Sequence, residues 1–219
     1  GHLKYQPMPG GDLATRQPWR MALSYLLGSF GEIPGGLKCF AGIAEADLHL
    51  VCQAMDRNIN TPLTSSCGRL FDAVASILGL RQVVAFEGQA AMELEMIAAP
   101  EATAPYDFGW QTSDDGLRIP TAPIIQGVVT DIRHGQSNAH ISRRFHTTLV
   151  HLFTDLCAHL RRQTDLDRVV LSGGTFQNAI LLEELSRSLA KSGFAVYTHR
   201  LVPPNDGGLA LGQAVVAAT

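Results

Sequence analysis

Apolar residues recur at helical spacing through the first half of the chain. Trp19, Ala22, Leu23 and Leu26 share one face of a helix expected over 19–27, after a Pro- and Gly-rich start over 1–18 in which Asp12 is a candidate cap. The stretch from 31 to 36, opened and closed by glycine, interrupts the pattern. A second helix is expected over 44–58 on Leu48, Val51, Cys52 and Met55. The loop over 61–66 is rich in capping residues and leads into a strongly apolar helix over 67–80 (Leu70, Phe71, Val74, Ile77, Leu78), which Gly79 ends. A fourth helix over 89–99 stops at Pro100.

The pattern then changes period. Residues 106–110 alternate, Ser113-Asp114-Asp115-Gly116 is a hairpin-type turn, and residues 117–119 alternate again, so a β-hairpin is expected. The stretch 123–131 reads as a strand or as the entry to a helix. A long helix follows over 138–162, with Ile141, Phe145, Leu149, Leu152, Phe153, Leu156 and Leu160 apolar. Val169-Val170-Leu171 is a short buried strand. It breaks into Ser172-Gly173-Gly174, ahead of a helix bearing Ile180, Leu181, Leu182, Leu185 and Leu189. Ala195-Val196-Tyr197 is a second strand, Pro203-Pro204-Asn205-Asp206-Gly207-Gly208 a stiff loop, and 209–218 a last apolar helix. The expected fold class is α/β. A helical part covers 1–105, and an α/β lobe with the Ser-Gly-Gly loop covers 106–219.

A strand feeding a glycine turn and a helix places backbone N–H groups where an anionic ligand can meet them. Two such units in tandem suggest nucleotide handling. Asp72, in the first turns of its helix, is either a dipole-stabilising surface carboxylate or an acceptor for ribose hydroxyls, with Arg69 beside it as a phosphate or carbonyl partner. Gly68 opens that helix. Gly88, in Phe86-Glu87-Gly88-Gln89, either lets backbone approach a ligand ring or serves as an ordinary loop glycine. Asp206 is held between two prolines and two glycines, as a metal ligand or a helix cap.

Composition narrows the picture. The chain has 219 residues, 46% hydrophobic and 17% charged, and a formal charge of −3. That balance gives no global pull toward nucleic acid or an anionic membrane. Arg143-Arg144 and Arg161-Arg162 are either local basic patches or solvated helix faces. No apolar run reaches the length of a membrane span. Cys39, Cys52, Cys67 and Cys157 form no C-x-x-C pair, and their scatter suits free thiols in a reducing, cytoplasmic setting. His151, Asp155 and His159 lie on one helical stripe at metal-ligand spacing, but the neighbouring leucine stripe makes a solvent-facing flank the expected outcome. His134, His140 and His146 read as surface residues. No P-loop, full dinucleotide fingerprint or zinc-protease motif is present, and no nucleophile–base pair is visible, so covalent catalysis is not expected.

Several runs together resemble the C-terminal part of the hydrogenase maturation carbamoyltransferase family, HypF. They are Gly1-His2-Leu3 with Pro7-Met8-Pro9-Gly10-Gly11-Asp12, Arg16-Gln17-Pro18-Trp19-Arg20-Met21-Ala22, Ser65-Ser66-Cys67-Gly68-Arg69-Leu70-Phe71-Asp72, Phe86-Glu87-Gly88-Gln89, Leu171-Ser172-Gly173-Gly174-Thr175-Phe176-Gln177-Asn178, and Pro203-Pro204-Asn205-Asp206-Gly207-Gly208-Leu209. They occur in order over nearly the whole chain.

The resemblance implies the family's domain akin to the tRNA threonylcarbamoyl-adenosine synthase, TsaD, with an actin/Hsp70/sugar-kinase-like (ASKHA) fold. It implies that ATP and carbamoyl phosphate give carbamoyl-adenylate, whose carbamoyl group passes to the C-terminal cysteine of HypE for the cyanide ligands of [NiFe]-hydrogenase. It implies ribose contacts at Asp72 and Gly88, a nucleotide-site residue at Asn178 and a divalent metal on Asp206; Gly68, Arg69, Glu87, Ser172, Gly173 and Gly174 complete the candidate nucleotide-binding set. The family's two metal-ligating histidines, spaced H-x-x-x-H, have no counterpart here. The resemblance therefore implies a metal completed by residues outside this chain, and a chain that is a piece of a longer protein and inactive alone. Two other readings stand beside it: an ASKHA phosphotransferase or ATPase, and a docking module built on the apolar helices of 19–99.

Overall fold

The helical periods become helices with small shifts at their ends, whereas the strand expected over 106–110 does not form. The computed structural model describes every residue except Ala102, Asp115 and Thr219. In chain order the elements are β1 (His2–Leu3), β2 (Gln6–Pro7), α1 (Leu13–Arg16), α2 (Pro18–Phe30), α3 (Glu45–Asp56), β3 (Leu63–Thr64), α4 (Cys67–Ile77), α5 (Gln89–Met96), β4 (Gln111–Ser113), β5 (Gly116–Ile119), α6 (Ala122–Arg133), α7 (Asn138–Thr164), β6 (Arg168–Leu171), α8 (Ala179–Lys191), β7 (Ala195–Thr198) and α9 (Leu209–Ala217). The chain divides into two units, Gly1–Phe145 and His146–Thr219.

The first unit is built on α2 and α4. Helix α2 starts at Pro18, whose missing N–H is no loss in a first turn, and ends on Gly31 in the left-handed conformation, φ 77°. Met21, Ala22, Leu23, Tyr25 and Leu26 are buried, as is nearly all of α4. Trp19, Leu23 and Val51 form a cluster to which Phe40, Ile43 and Leu48 add. Phe71 meets Phe145 edge-on, ring centroids 4.9 Å apart. The ambiguous stretch 123–131 is helix α6, with Pro123 in its first turn and Ile124, Ile125, Val128 and Val129 buried.

The sheets of this unit are small. β5 pairs antiparallel with β4 and parallel with β1, and β2 pairs antiparallel with β3. The hairpin forms, but its first strand begins at Gln111 and not at Tyr106. Tyr106 is instead drawn into the core, where its hydroxyl donates to Asp131 Oδ2 at 2.8 Å. Asp115 of the hairpin turn lies outside the described residues. Asp12 precedes α1 without a side-chain cap bond.

The second unit is a βαβ unit on the distal part of α7. β6 and β7 run parallel with Leu171 opposite Thr198, and α8 makes the crossover, burying Leu181, Leu185 and Leu189. Thr154 Oγ1 bonds Ser188 Oγ at 2.9 Å. Parallel strands are normally covered on both faces, yet Val170 and Tyr197 are 67% and 54% exposed. No residue of α9 is buried, which leaves Leu209, Leu211, Val215 and Val216 in solvent.

Candidate functional site

In the first unit, Gly68, Arg69 and Asp72 stand on the opening turns of α4. Ser66 caps that helix, its Oγ accepting from the Arg69 N–H at 3.4 Å. Arg69 Nη1 lies 2.8 Å from Asp72 Oδ2, one helical turn apart. Asp72 is only 3% exposed, so it is not the solvated surface carboxylate that its position near a helix start allowed. The ion-pair contact lacks hydrogen-bond alignment: Arg69 Nη1 and Asp72 Oδ2 both have no hydrogen-bond partner, and neither does the buried Tyr25 hydroxyl of α2. Burial pushes the Asp72 carboxyl up to about 6; the Arg69 charge opposes this and the Glu87 charge adds to it. Burial, reinforced by Cys67 and Asp72, raises the Tyr25 hydroxyl well above its usual value. Unsatisfied buried polar atoms are costly, and this cluster is the least satisfied polar group described on α2 and α4.

Glu87 is exposed, and Gly88 adopts φ 80° at the start of α5 with open space where a side chain would project. The half-buried Cys67 thiol is pushed up to about 12 by burial, which keeps it protonated and unreactive.

In the second unit, the Ser172-Gly173-Gly174 turn does not open directly onto an α-helix. A 3-10 turn over Gly174–Gln177 intervenes, and α8 starts at Ala179. The Gly173 N–H already donates to Pro204 O at 2.9 Å, which ties the turn to the proline loop. Gly173 has φ 103°, a conformation that disfavours any side chain. Asn178 is the cap of α8: its Oδ1 accepts from Leu181 N at 2.8 Å, and its Nδ2 pairs with His146 Nε2 at 2.9 Å. His146 is 0% exposed. The expectation of a surface histidine fails there because the Asn178 amide gives the ring a polar partner inside the core.

Asp206 is exposed in a 3-10 turn over Asp206–Gly208. The cap of that turn is Asn205, whose Oδ1 accepts from Gly207 N at 3.0 Å. Among the described residues no group of three or more His, Cys, Asp or Glu side chains could hold a metal. That holds for the His151, Asp155 and His159 stripe as well. His151 and Asp155 face solvent.

The paired arginines are neither basic patches nor solvated faces, except for the exposed Arg162. Arg143 is buried. Arg144 stacks over Tyr106 at 4.3 Å and bonds both Asp131 oxygens at 3.0 and 3.1 Å. Arg161 stacks over Phe194 at 4.1 Å and donates to Ser192 O.

Ser172 Oγ lies 2.8 Å from His199 Nε2, a serine–histidine pair that no motif in the sequence marks. The signal lay in the parallel register: with Leu171 opposite Thr198, the residues that follow the two strands, Ser172 and His199, are neighbours.

The strand–turn–helix unit, the buried carboxylate and the solved folds that resemble this chain define an α/β domain of the actin/Hsp70/sugar-kinase-like class. The family described as carbamoyltransferase, Kae1-like domain, second subdomain, matches residues 1–213, and the chain belongs to it. Carbamoyltransferase HypF2 of Cupriavidus necator is 37% identical over 99% of this chain and 29% of its own length. Carbamoyltransferase HypF of Rhodobacter capsulatus is 38% identical over 99% of this chain and 27% of its own length. A crystal structure of full-length HypF in a phosphate- and nucleotide-bound form superimposes with a TM-score of 0.90 at 40% identity, covering 99% of this chain and 28% of that one. The chain thus spans under a third of each of these proteins. No described helix is long and apolar enough to cross a membrane.

Proposed function

We propose that this chain is the part of a hydrogenase-maturation carbamoyltransferase that holds carbamoyl-adenylate and passes the carbamoyl group to the C-terminal cysteine of HypE. The observation that carries the reading is the family match over 1–213, joined to a buried Arg69–Asp72 pair with unsatisfied polar atoms. Once ionised, Asp72 accepts from the ribose hydroxyls, with Arg69 holding the carboxylate in place. Gly88 leaves room for close approach of the nucleoside, with the exposed Glu87 next to it in sequence. In the second unit, the Ser172-Gly173-Gly174 turn is a candidate for binding phosphate through its backbone. Asn178 contributes by fixing the start of α8, since its own amide is occupied.

The metal fits less well. Asp206 is one exposed carboxylate, and the described residues do not make a metal site by themselves. A divalent ion bound through Asp206 would take its other ligands from residues outside this chain.

The test uses the longest natural form of the protein with ATP, carbamoyl phosphate and HypE. The expected products are AMP and a HypE whose C-terminal cysteine has gained one carbamoyl group, read by mass spectrometry. ADP with an unmodified acceptor would replace this reading with a phosphotransferase. Acceptor binding without nucleotide binding would replace it with a docking module.

A further inference from the structure

We propose that Ser172 and His199 form a proton relay that deprotonates the acceptor thiol as the carbamoyl group is transferred. This rests on the transferase reading above and names the groups that move its proton. Ser172 follows β6 and His199 follows β7, so both stand at the carboxyl ends of adjacent parallel strands, where open α/β sheets bind their ligands. Their side chains are 2.8 Å apart. They open on a cavity of about 570 Å³ walled also by Pro204, Asn205, Gly208 and Leu209. Among the described residues that line this cavity, His199 alone carries a ring that can accept a proton.

The pair is exposed. An exposed hydrogen bond adds little to stability, so packing gives no reason for it. The turn that bears Ser172 is held still by the Gly173 N–H bond to Pro204 O. A hydroxyl has one donor and two acceptor positions. With its proton directed to His199 Nε2, Ser172 Oγ keeps lone pairs free for an incoming S–H.

The step balances. The acceptor sulfur attacks the carbamoyl carbon and forms the S–C bond. Its proton moves to Ser172 Oγ while the Ser172 proton moves to His199 Nε2. The bond from the carbamoyl carbon to the adenylate phosphate oxygen breaks, and AMP leaves with that electron pair. No oxidant or reductant is involved. A positioned general base typically contributes 10²–10⁴-fold.

The experiment measures single-turnover carbamoyl transfer to HypE, and AMP affinity by calorimetry, in the longest natural form of the protein. His199→Gln keeps a polar side chain but accepts no proton. It is expected to slow transfer about 10²–10⁴-fold while AMP affinity stays within twofold. His199→Ala should be equally slow and regain rate with added imidazole, a response no structural role would give. Ser172→Ala at saturating nucleotide should be slow, and the double variant Ser172→Ala/His199→Ala no slower than its slower parent, because groups acting as a unit are not additive. Wild-type rate in His199→Gln, or loss tracking weaker AMP binding without imidazole rescue, overturns the relay and leaves the transferase reading standing. Absence of any thiol carbamoylation by the wild-type protein removes both.

Discussion

Replacing Asp72 by Asn should change how stability depends on pH. The carboxyl is buried, and burial raises it from an ordinary 3.8 to about 6 against the pull of Arg69. In the folded state it therefore holds its proton over a range where the unfolded chain has already lost it. The stabilisation is fully present below 3.8 and is lost as pH rises through about 6. The rise corresponds to about 3 kcal/mol, of which about 2–3 kcal/mol falls between pH 4 and pH 8. Asp72→Asn removes this dependence, and any cost of leaving Arg69 without a carboxylate is a constant offset across the interval. Urea unfolding at pH 4 and pH 8, followed by Trp19, a buried reporter in the same unit, gives the comparison. Wild type should lose about 2–3 kcal/mol more than Asp72→Asn on going to pH 8. Parallel curves for the two proteins would refute the argument, and with it the claim that Asp72 is buried beside Arg69 without full hydrogen bonding.

A Cβ at position 127 would lie 2.3 Å from Tyr106 Cδ1. Gly127→Ala should thus displace that ring from Asp131 and destabilise the first unit by about 1–3 kcal/mol, which thermal unfolding will show. Asn178→Ala removes the cap of α8 and the amide beside His146, so a loss of at least about 1 kcal/mol is expected; unchanged unfolding would mean the cap is dispensable. For Asp206, this chain alone should contain transition metal well below one ion per molecule by elemental analysis. The longest natural form should hold one that Asp206→Ala removes; stoichiometric metal in the chain alone would place the site elsewhere.

Helices were legible because their apolar period is set by residues that go on to pack: Trp19, Ala22, Leu23 and Leu26 all lie in the core. The βαβ unit was legible for the same reason, in Leu171 and the leucines of α8. Two-residue strands such as β2 and β3 were not, since their pairing is decided by partners distant in sequence and no periodicity fits in two residues. Tyr106 misled because alternation marks a strand only when the neighbouring backbone is free to pair; here Asp131 and Arg144 hold the side chain. For the candidate site, the Gly68–Asp72 run singles out Arg69 and Asp72, but their burial depends on α2 packing over α4 and could not be read locally. His146 reads as a surface residue because its partner Asn178 lies far along the chain, and no local pattern marks His199 because only strand register brings it to Ser172.

The apolar residues left in solvent on α9, together with Val170 and Tyr197, bear on how molecules of this chain behave toward one another in concentrated solution. Contact between two such surfaces displaces water without stripping charges, and a net charge of −3 on 219 residues offers weak long-range repulsion. For this chain by itself, pair attraction is then the expected dominant colloidal term, and osmotic pressure below ideal as concentration rises is the outcome that light scattering would check. Sulfate salts, which strengthen apolar association, deepen that deviation, while mild urea relieves it. A Lys placed on α9 at Leu211 or Val215 should restore near-ideal behaviour without touching the core, since no residue of α9 is buried.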